Sequence, residues 1–227
     1  KGQLYLIRNF AMSIPLSDYL DSDNSPYSPY LIIDELKRGF ERFKSGRTDH
    51  PHASAARVHQ LVGGQHPQVA LLACSDSRVP IEVIFDAGFG DLFVIRNAGN
   101  TNTFGSAGSI EYAVLDLKVP VLVVMSHQGC GAVKAAFSKN SMFSKSLTEL
   151  VEDIKQGLKS SNIDVNDPST YQEACVRHAA ITAESLMNIS KDIRDAVRQK
   201  KLFIQPAYLH IDPIQIDWHT PYYGENL

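Results

Sequence analysis

Cysteine is scarce: three residues in 227, unevenly placed at Cys74, Cys130 and Cys175. So sparse and odd a set excludes a disulfide-stapled scaffold and leaves at least one thiol unpaired, which points to chemistry before staples. Long apolar runs are also missing. The longest covers residues 119–125, far below the roughly 18 to 20 residues that cross a bilayer, so no membrane span is expected. Charge of one sign is not in excess either: 22 Lys+Arg against 25 Asp+Glu leave −3. That balance excludes a general binder of phosphate backbones or anionic membranes, and no nucleic-acid partner is expected. Internal repeats and low-complexity tracts are absent. What is present is the composition of an ordinary folded domain, 44% hydrophobic and 21% charged, over a length that buries one good core. The chain starts at Lys1 and not at Met, as when an N-terminal piece, a targeting segment among the options, has been processed off or left out; a soluble protein, cytoplasmic or organellar, is expected, but this end names no compartment.

One domain over residues 1–227 is expected. Residues 1–30 carry Pro15, Pro26 and Pro29 among Ser, Asp and Tyr, the composition of an extended arm lying on something else. Over residues 31–46, Ile32, Leu36, Phe40 and Phe43 recur at three- and four-residue steps, which marks an amphipathic helix. Arm and stripe together are expected to need apolar cover from a second copy. A short helix over 53–62 follows, stopped by Gly63-Gly64. The runs at 69–73, 92–95 and 119–125 are continuous and not alternating, as in strands covered on both faces. Helical patterns separate them, notably 106–117 with Ile110, Ala113, Val114 and Leu117. The fold class is therefore α/β, a parallel β-sheet core flanked by helices with right-handed crossovers. Residues 145–199 read as helix broken by a loop at 162–168, and 202–209 and 214–218 read as sheet-edge strands.

In open parallel sheets, ligands collect beyond the carboxyl ends of the strands. The first strand leads into Cys74-Ser-Asp76-Ser-Arg78, and the run at 119–125 leads into His127-Gln-Gly-Cys130-Gly131. Two thiols and an imidazole thus leave one sheet edge. Two Cys and one His form a three-ligand set for Zn²⁺, with the fourth tetrahedral position open to water or substrate. Taken singly, each residue has a plainer reading: a Cys after a strand is commonly a small hydrophobe, and His-x-x-Cys arises by chance. A Cys74–Cys130 disulfide also fits, yet it leaves His127, Asp76 and Arg78 with no shared purpose, so metal accounts for more residues. Cys175 has no His or acid at ligand spacing and is assigned to packing. Two charges at a strand tip are ordinarily just solvated. Here the turn that holds Cys74 at a metal would also hold Asp76 beside the open position, where it binds the metal or accepts a hydrogen bond from its water. Arg78 decides between those states, because a bidentate guanidinium keeps the carboxylate ionised and turned away.

Four segments, Cys74-Ser-Asp76-Ser-Arg78-Val, Gly90-Asp-Leu-Phe93-Val-Ile-Arg96-Asn-Ala98-Gly-Asn100, Ser109-Ile-Glu111-Tyr112-Ala113 and His127-x-x-Cys130-Gly-Ala, resemble the β-class carbonic anhydrases in kind and order. The resemblance spans residues 35–205, with a zinc-binding core at 69–205. It implies a parallel α/β sheet, a homodimer or higher homo-oligomer, one zinc per chain, and reversible hydration of CO₂ to bicarbonate. Carried over residue by residue, it makes Cys74, His127 and Cys130 the zinc ligands and Asp76 and Arg78 the catalytic pair beside the metal. It places Gln65, Phe93, Ala98 and Tyr112 around the substrate pocket, with Gln65 and its neighbours reaching across from the second subunit, although Tyr112 at helical spacing also fits simple packing. The N–H of Gly131 is expected to stabilise oxygen charge as bicarbonate forms. Two alternatives fit the same residues: a CS₂ or COS hydrolase on this fold, and a non-catalytic zinc-binding scaffold subunit whose Asp76 fills the fourth position. Where the family has Gly, then Tyr-Asp and a Thr-Gly turn, this chain reads Gln205-Pro-Ala-Tyr208-Leu-His-Ile-Asp-Pro213, so the outer strand is expected to differ. The one Trp, Trp218, lies behind the zinc motifs, and the non-substrate bicarbonate pocket of some members is not expected.

Overall fold

The computed structural model describes residues 28–138 and 143–224. Strand β1 (Val69–Cys74) is flanked by β2 (Leu92–Asn97) and β3 (Val121–His127), both parallel to it, and β3 pairs in parallel with β4 (Phe203–His210). A final strand, β5 (Gln215–Trp218), runs antiparallel to β4, so the order is β2-β1-β3-β4-β5. The sheet is therefore mixed: parallel through four strands, with one antiparallel edge. The two C-terminal strands do stand on one side of the sheet, but only β5 is an edge, because β4 is paired on both sides and buried along its length. Residues 205–213, where the sequence leaves the family pattern, still build this strand and its turn; Gln205 donates from Nε2 to the His219 carbonyl at 2.7 Å.

Side chains alternate across a strand, and here both faces are covered. Val69, Leu71, Ala73, Val121, Val123 and Met125 face helices α1 (Pro29–Lys44) and α3 (Ile81–Ile84). Ala70, Leu72, Leu122 and Val124 face α4 (Phe104–Glu111), α7 (Tyr171–Ile189) and α8 (Lys191–Arg198). Burial on both faces explains why β1 and β3 read as unbroken apolar runs; β2, expected to be covered in the same way, is instead the sheet's first strand and mostly half-buried. Three further helices complete the chain order: α2 (Ala55–Gln60), α5 (Gly131–Ala136) and α6 (Lys145–Ser160). Helix α4 starts on a capping box in which Thr103 and Ser106 satisfy each other's backbone N–H, and continues as a wider turn over Tyr112–Asp116.

One expectation is corrected. Ile32, Leu36 and Phe40 do line one face of α1, but that face packs on the chain's own sheet, so the stripe requires no second copy. Arg42, in the last turn of α1, fastens the helix to the domain through Asp86 (Nε to Oδ2, 2.7 Å). The arm expected over residues 1–30 lies, but for its last three residues, outside the described residues. Among the described residues no helix is long and apolar enough to cross a membrane.

Candidate metal centre

Parallel pairing brings the ends of β1 and β3 together. Ala73 stands opposite Met125, and Cys74 stands opposite Asn97 on the other side. His127 closes β3, and a tight turn with Gly129 at φ 68° carries the chain to Cys130 at the start of α5. Only glycine adopts that left-handed conformation freely, so the His-x-Gly-Cys spacing is a backbone requirement of the turn. The Cys74 Sγ, a His127 ring nitrogen and the Cys130 Sγ all lie within 4.8 Å of one another, the one such group of metal-donor residues among the described residues.

The donor set fits zinc. The two sulfurs are 3.9 Å apart and unbonded; tetrahedral Zn–S bonds of about 2.3 Å place two thiolates about 3.8 Å apart. His127 donates from Nδ1 to the Gln128 carbonyl at 3.0 Å, so Nε2 keeps its lone pair. That Nε2 is buried and has no hydrogen-bond partner. An unpartnered imidazole nitrogen between two thiols, with its other nitrogen fixed by a carbonyl, is the arrangement of a metal-ligating histidine. The Cys130 thiol, donating to the Cys74 sulfur, holds the Cys74 pKa below its ordinary value; burial opposes this, and His127 and the Gly99 N–H (3.2 Å) add to the lowering. Cys130 is pushed up, first by the bond it gives to Cys74 and then by burial.

Asp76 borders the cluster, with Oδ2 3.9 Å from His127 Nε2. Arg78 grips it with both arms, Nε to Oδ1 at 2.9 Å and Nη2 to Oδ2 at 2.7 Å, and the Arg78 N–H adds a bond of 3.0 Å to Oδ1. These bonds hold the Asp76 carboxyl well below the usual carboxylate range. Of the expected pocket residues, Ala98 and Gly131 adjoin the cradle: Ala98 opens the turn whose next residue donates to Cys74, and Gly131 follows Cys130. The others do not reach it. Phe93 pairs with Ala70, four residues and about 13 Å along the strand from Cys74. Tyr112 touches Phe93, ring centroids 6.0 Å apart, and is 47% exposed. Gln65 is exposed, ahead of the far end of β1. Cys175 is buried among Cys130, Ala174 and Tyr208, consistent with packing.

Three supports escaped the sequence reading. Arg96 donates twice to the Cys74 carbonyl (3.1 and 3.0 Å) and once to that of Asp76 (2.8 Å), bracing the whole turn. Tyr171 donates to the Cys130 carbonyl at 3.1 Å, and the Gln128 side chain accepts the N–H groups of Ile211 and Asp212 at 2.9 and 3.0 Å. Arg96 and Gln128 lie inside the motifs, whereas Tyr171 lies outside them and carries no such signal.

Comparison with known proteins bears on the family and the fold. A carbonic anhydrase family model matches residues 69–215. "Carbonic anhydrase 2" of Mycobacterium tuberculosis is 50% identical over 111 residues, 49% of this chain and 54% of that protein; the chain thus spans about half the length of the curated relatives it matches. Among solved structures, a tetrameric β-carbonic anhydrase of Sordaria macrospora superposes with a TM-score of 0.60 at 24% identity, over 85% of this chain and 98% of that one. A Coccomyxa β-carbonic anhydrase bound to acetazolamide gives a TM-score of 0.63 at 19% identity over 88% and 89% of the two chains. Fold, motif order and the family match over the strands that carry the cradle place this chain in the β-class carbonic anhydrase family.

Proposed function

We propose that this single-domain chain holds one zinc ion through Cys74, His127 and Cys130 and catalyses reversible hydration of carbon dioxide to bicarbonate, as a homodimer or higher homo-oligomer. The observation that carries the reading is a buried three-donor cradle bordered by a carboxylate that Arg78 keeps ionised. Zinc bound there supplies Lewis acidity and a nucleophile derived from water near neutral pH.

The chain's own groups do the rest. Asp76 accepts a hydrogen bond from water at the cradle's open side and aims that water's lone pair at the carbon. Arg78 holds Asp76 away from the donors, which argues against a carboxylate permanently filling the fourth position. Ala98 borders the CO₂, and the Gly131 N–H takes the oxygen charge that develops as bicarbonate forms. Phe93, Tyr112 and Gln65 fit the pocket only if a second copy supplies them. The open edge of β2 and the outer face of α4, where Phe104 is 99% exposed, offer a surface for that copy, and the Sordaria relatives are described as tetrameric.

Stopped-flow CO₂ hydration by the zinc-loaded protein, run beside Asp76→Asn, tests the reading. Turnover in the parent and its loss in a variant that keeps zinc are expected. Zinc without CO₂ turnover in the parent would overturn it, in favour of a scaffold subunit or, if COS or CS₂ is consumed, a hydrolase.

A further inference from the structure

The turn after β2 ties the cradle to a helix outside the motifs. The Gly99 N–H points at Cys74 Sγ at 3.2 Å. Gly99 sits at φ 77°, and a Cβ there would lie 2.9 Å from Ala132 Cβ and 3.0 Å from Ile154 Cδ1, so α5 and α6 press on it closely. From the third side, His178 of α7 donates from Nε2 to the Gly99 carbonyl at 2.7 Å, across 79 residues of sequence. A carbonyl only accepts, so the proton sits on Nε2 and Nδ1 is the acceptor. The ring is 2% exposed, and its Nδ1 has no hydrogen-bond partner. Burial holds its pKa to about 4 against the pull of the Gly99 carbonyl, so the imidazole is neutral.

A purely structural position at this depth favours an apolar side chain, because a buried nitrogen without a partner gives up its hydrogen bond to water and gets none in return. The imidazole's one bond goes to the residue whose own N–H serves the metal-donor sulfur. An N–H directed at a thiolate withdraws charge from it and fixes its orientation, and such outer contacts tune a metal site.

We propose that His178 is a positioning residue of the metal centre: by holding the Gly99 carbonyl it fixes the Gly99 N–H on Cys74 Sγ and so limits the charge that this thiolate gives the metal. The proposal rests on Cys74 being a zinc ligand. Since Gly99 is packed by α5 and α6, His178 sets the tilt of its peptide groups and not its location.

Cobalt(II) is the probe, because its thiolate charge-transfer band reports sulfur donation without reference to turnover. His178→Phe removes the donor and keeps a ring; His178→Gln keeps an N–H at similar reach. In the Phe variant the band moves to lower energy and zinc affinity, measured by chelator competition, falls about 10- to 100-fold, while the Gln variant stays near the parent. A folded Phe variant with the parent's band and affinity would overturn the proposal, as would a Gln variant that falls as far as Phe, since packing alone would then explain both. Where His178→Phe does not fold, the parent protein loaded with ¹¹³Cd decides: scalar coupling between the cadmium and the Gly99 amide proton through the Cys74 sulfur supports the relay, and its absence overturns the role. A parent that takes up neither cobalt nor cadmium instead defeats the metal reading itself.

Discussion

Two regions of this molecule bury polar chemistry and treat it in opposite ways. Where α1 meets the turn after α3, the Asp86 side chain is 0% exposed and fully used: it accepts from Arg42 at 2.7 Å and from the N–H groups of Asp49 and His50 at 3.0 Å each. Nearby, Asp91 accepts from His52 and from the Gly88 N–H, both at 2.8 Å. At the carboxyl end of the sheet, His127 Nε2 is just as buried and has no hydrogen-bond partner, beside two sulfurs 3.9 Å apart. Buried polar groups are normally satisfied. A cluster whose bonding capacity is filled joins two elements; one whose unfilled donors converge on a point is built to receive something.

Breaking the convergence should have the largest effect. Cys74→Ser or His127→Ala should reduce bound zinc from one per chain to roughly a tenth or less and lower thermal stability, because metal binding is coupled to folding; metal analysis beside a melting curve checks both. Full zinc in Cys130→Ser would contradict the three-donor assignment. Next in size, Asp76→Asn should keep zinc and lose about 10²- to 10⁴-fold in turnover, the usual weight of one acid–base group. In the other region, Arg42→Ala leaves Asp86 buried with its charge partner gone and should cost about 3–5 kcal/mol in denaturant unfolding, yet leave zinc content unchanged. If zinc falls with it, the two regions are not independent.

Acid should separate the regions more finely. His178 has a folded pKa near 4, below the ordinary 6.5, so the unfolded state binds more protons between those values. Its contribution is complete above pH about 6.5 and is lost as pH falls toward 4; unfolding titrations should show this slope in the parent and not in His178→Gln. For Asp86, burial alone would raise the pKa, but Arg42 and the N–H groups of Asp49 and His50 bring it below its ordinary value. Its contribution is therefore present above pH about 3.9 and lost only as pH falls further. The sulfur side should thus weaken first. Loss of both in a single step near pH 3 would contradict the neutral, buried state of His178.

The sequence by itself determined the local chemistry and the local elements. The unbroken apolar runs of β1 and β3 announce strands covered on both faces, the i, i+3, i+4 stripe announces α1, and Cys74, Asp76, Arg78, His127 and Cys130 belong to short motifs whose spacing reflects the turns that carry them. Tertiary structure decided what covers what. The α1 stripe proved to be covered by the chain's own sheet, because Arg42 reaches Asp86 across 44 residues. Strand β4 became an inner strand because β5 folds back antiparallel along it. Phe93 and Tyr112 were set at the far end of the sheet from the cradle by a register that only strand pairing settles. His178 carries no local sign of its role: a lone histidine in a helix joins the metal centre only because α7 packs beside the Gly99 turn, and contacts made across 79 residues leave no periodicity to read.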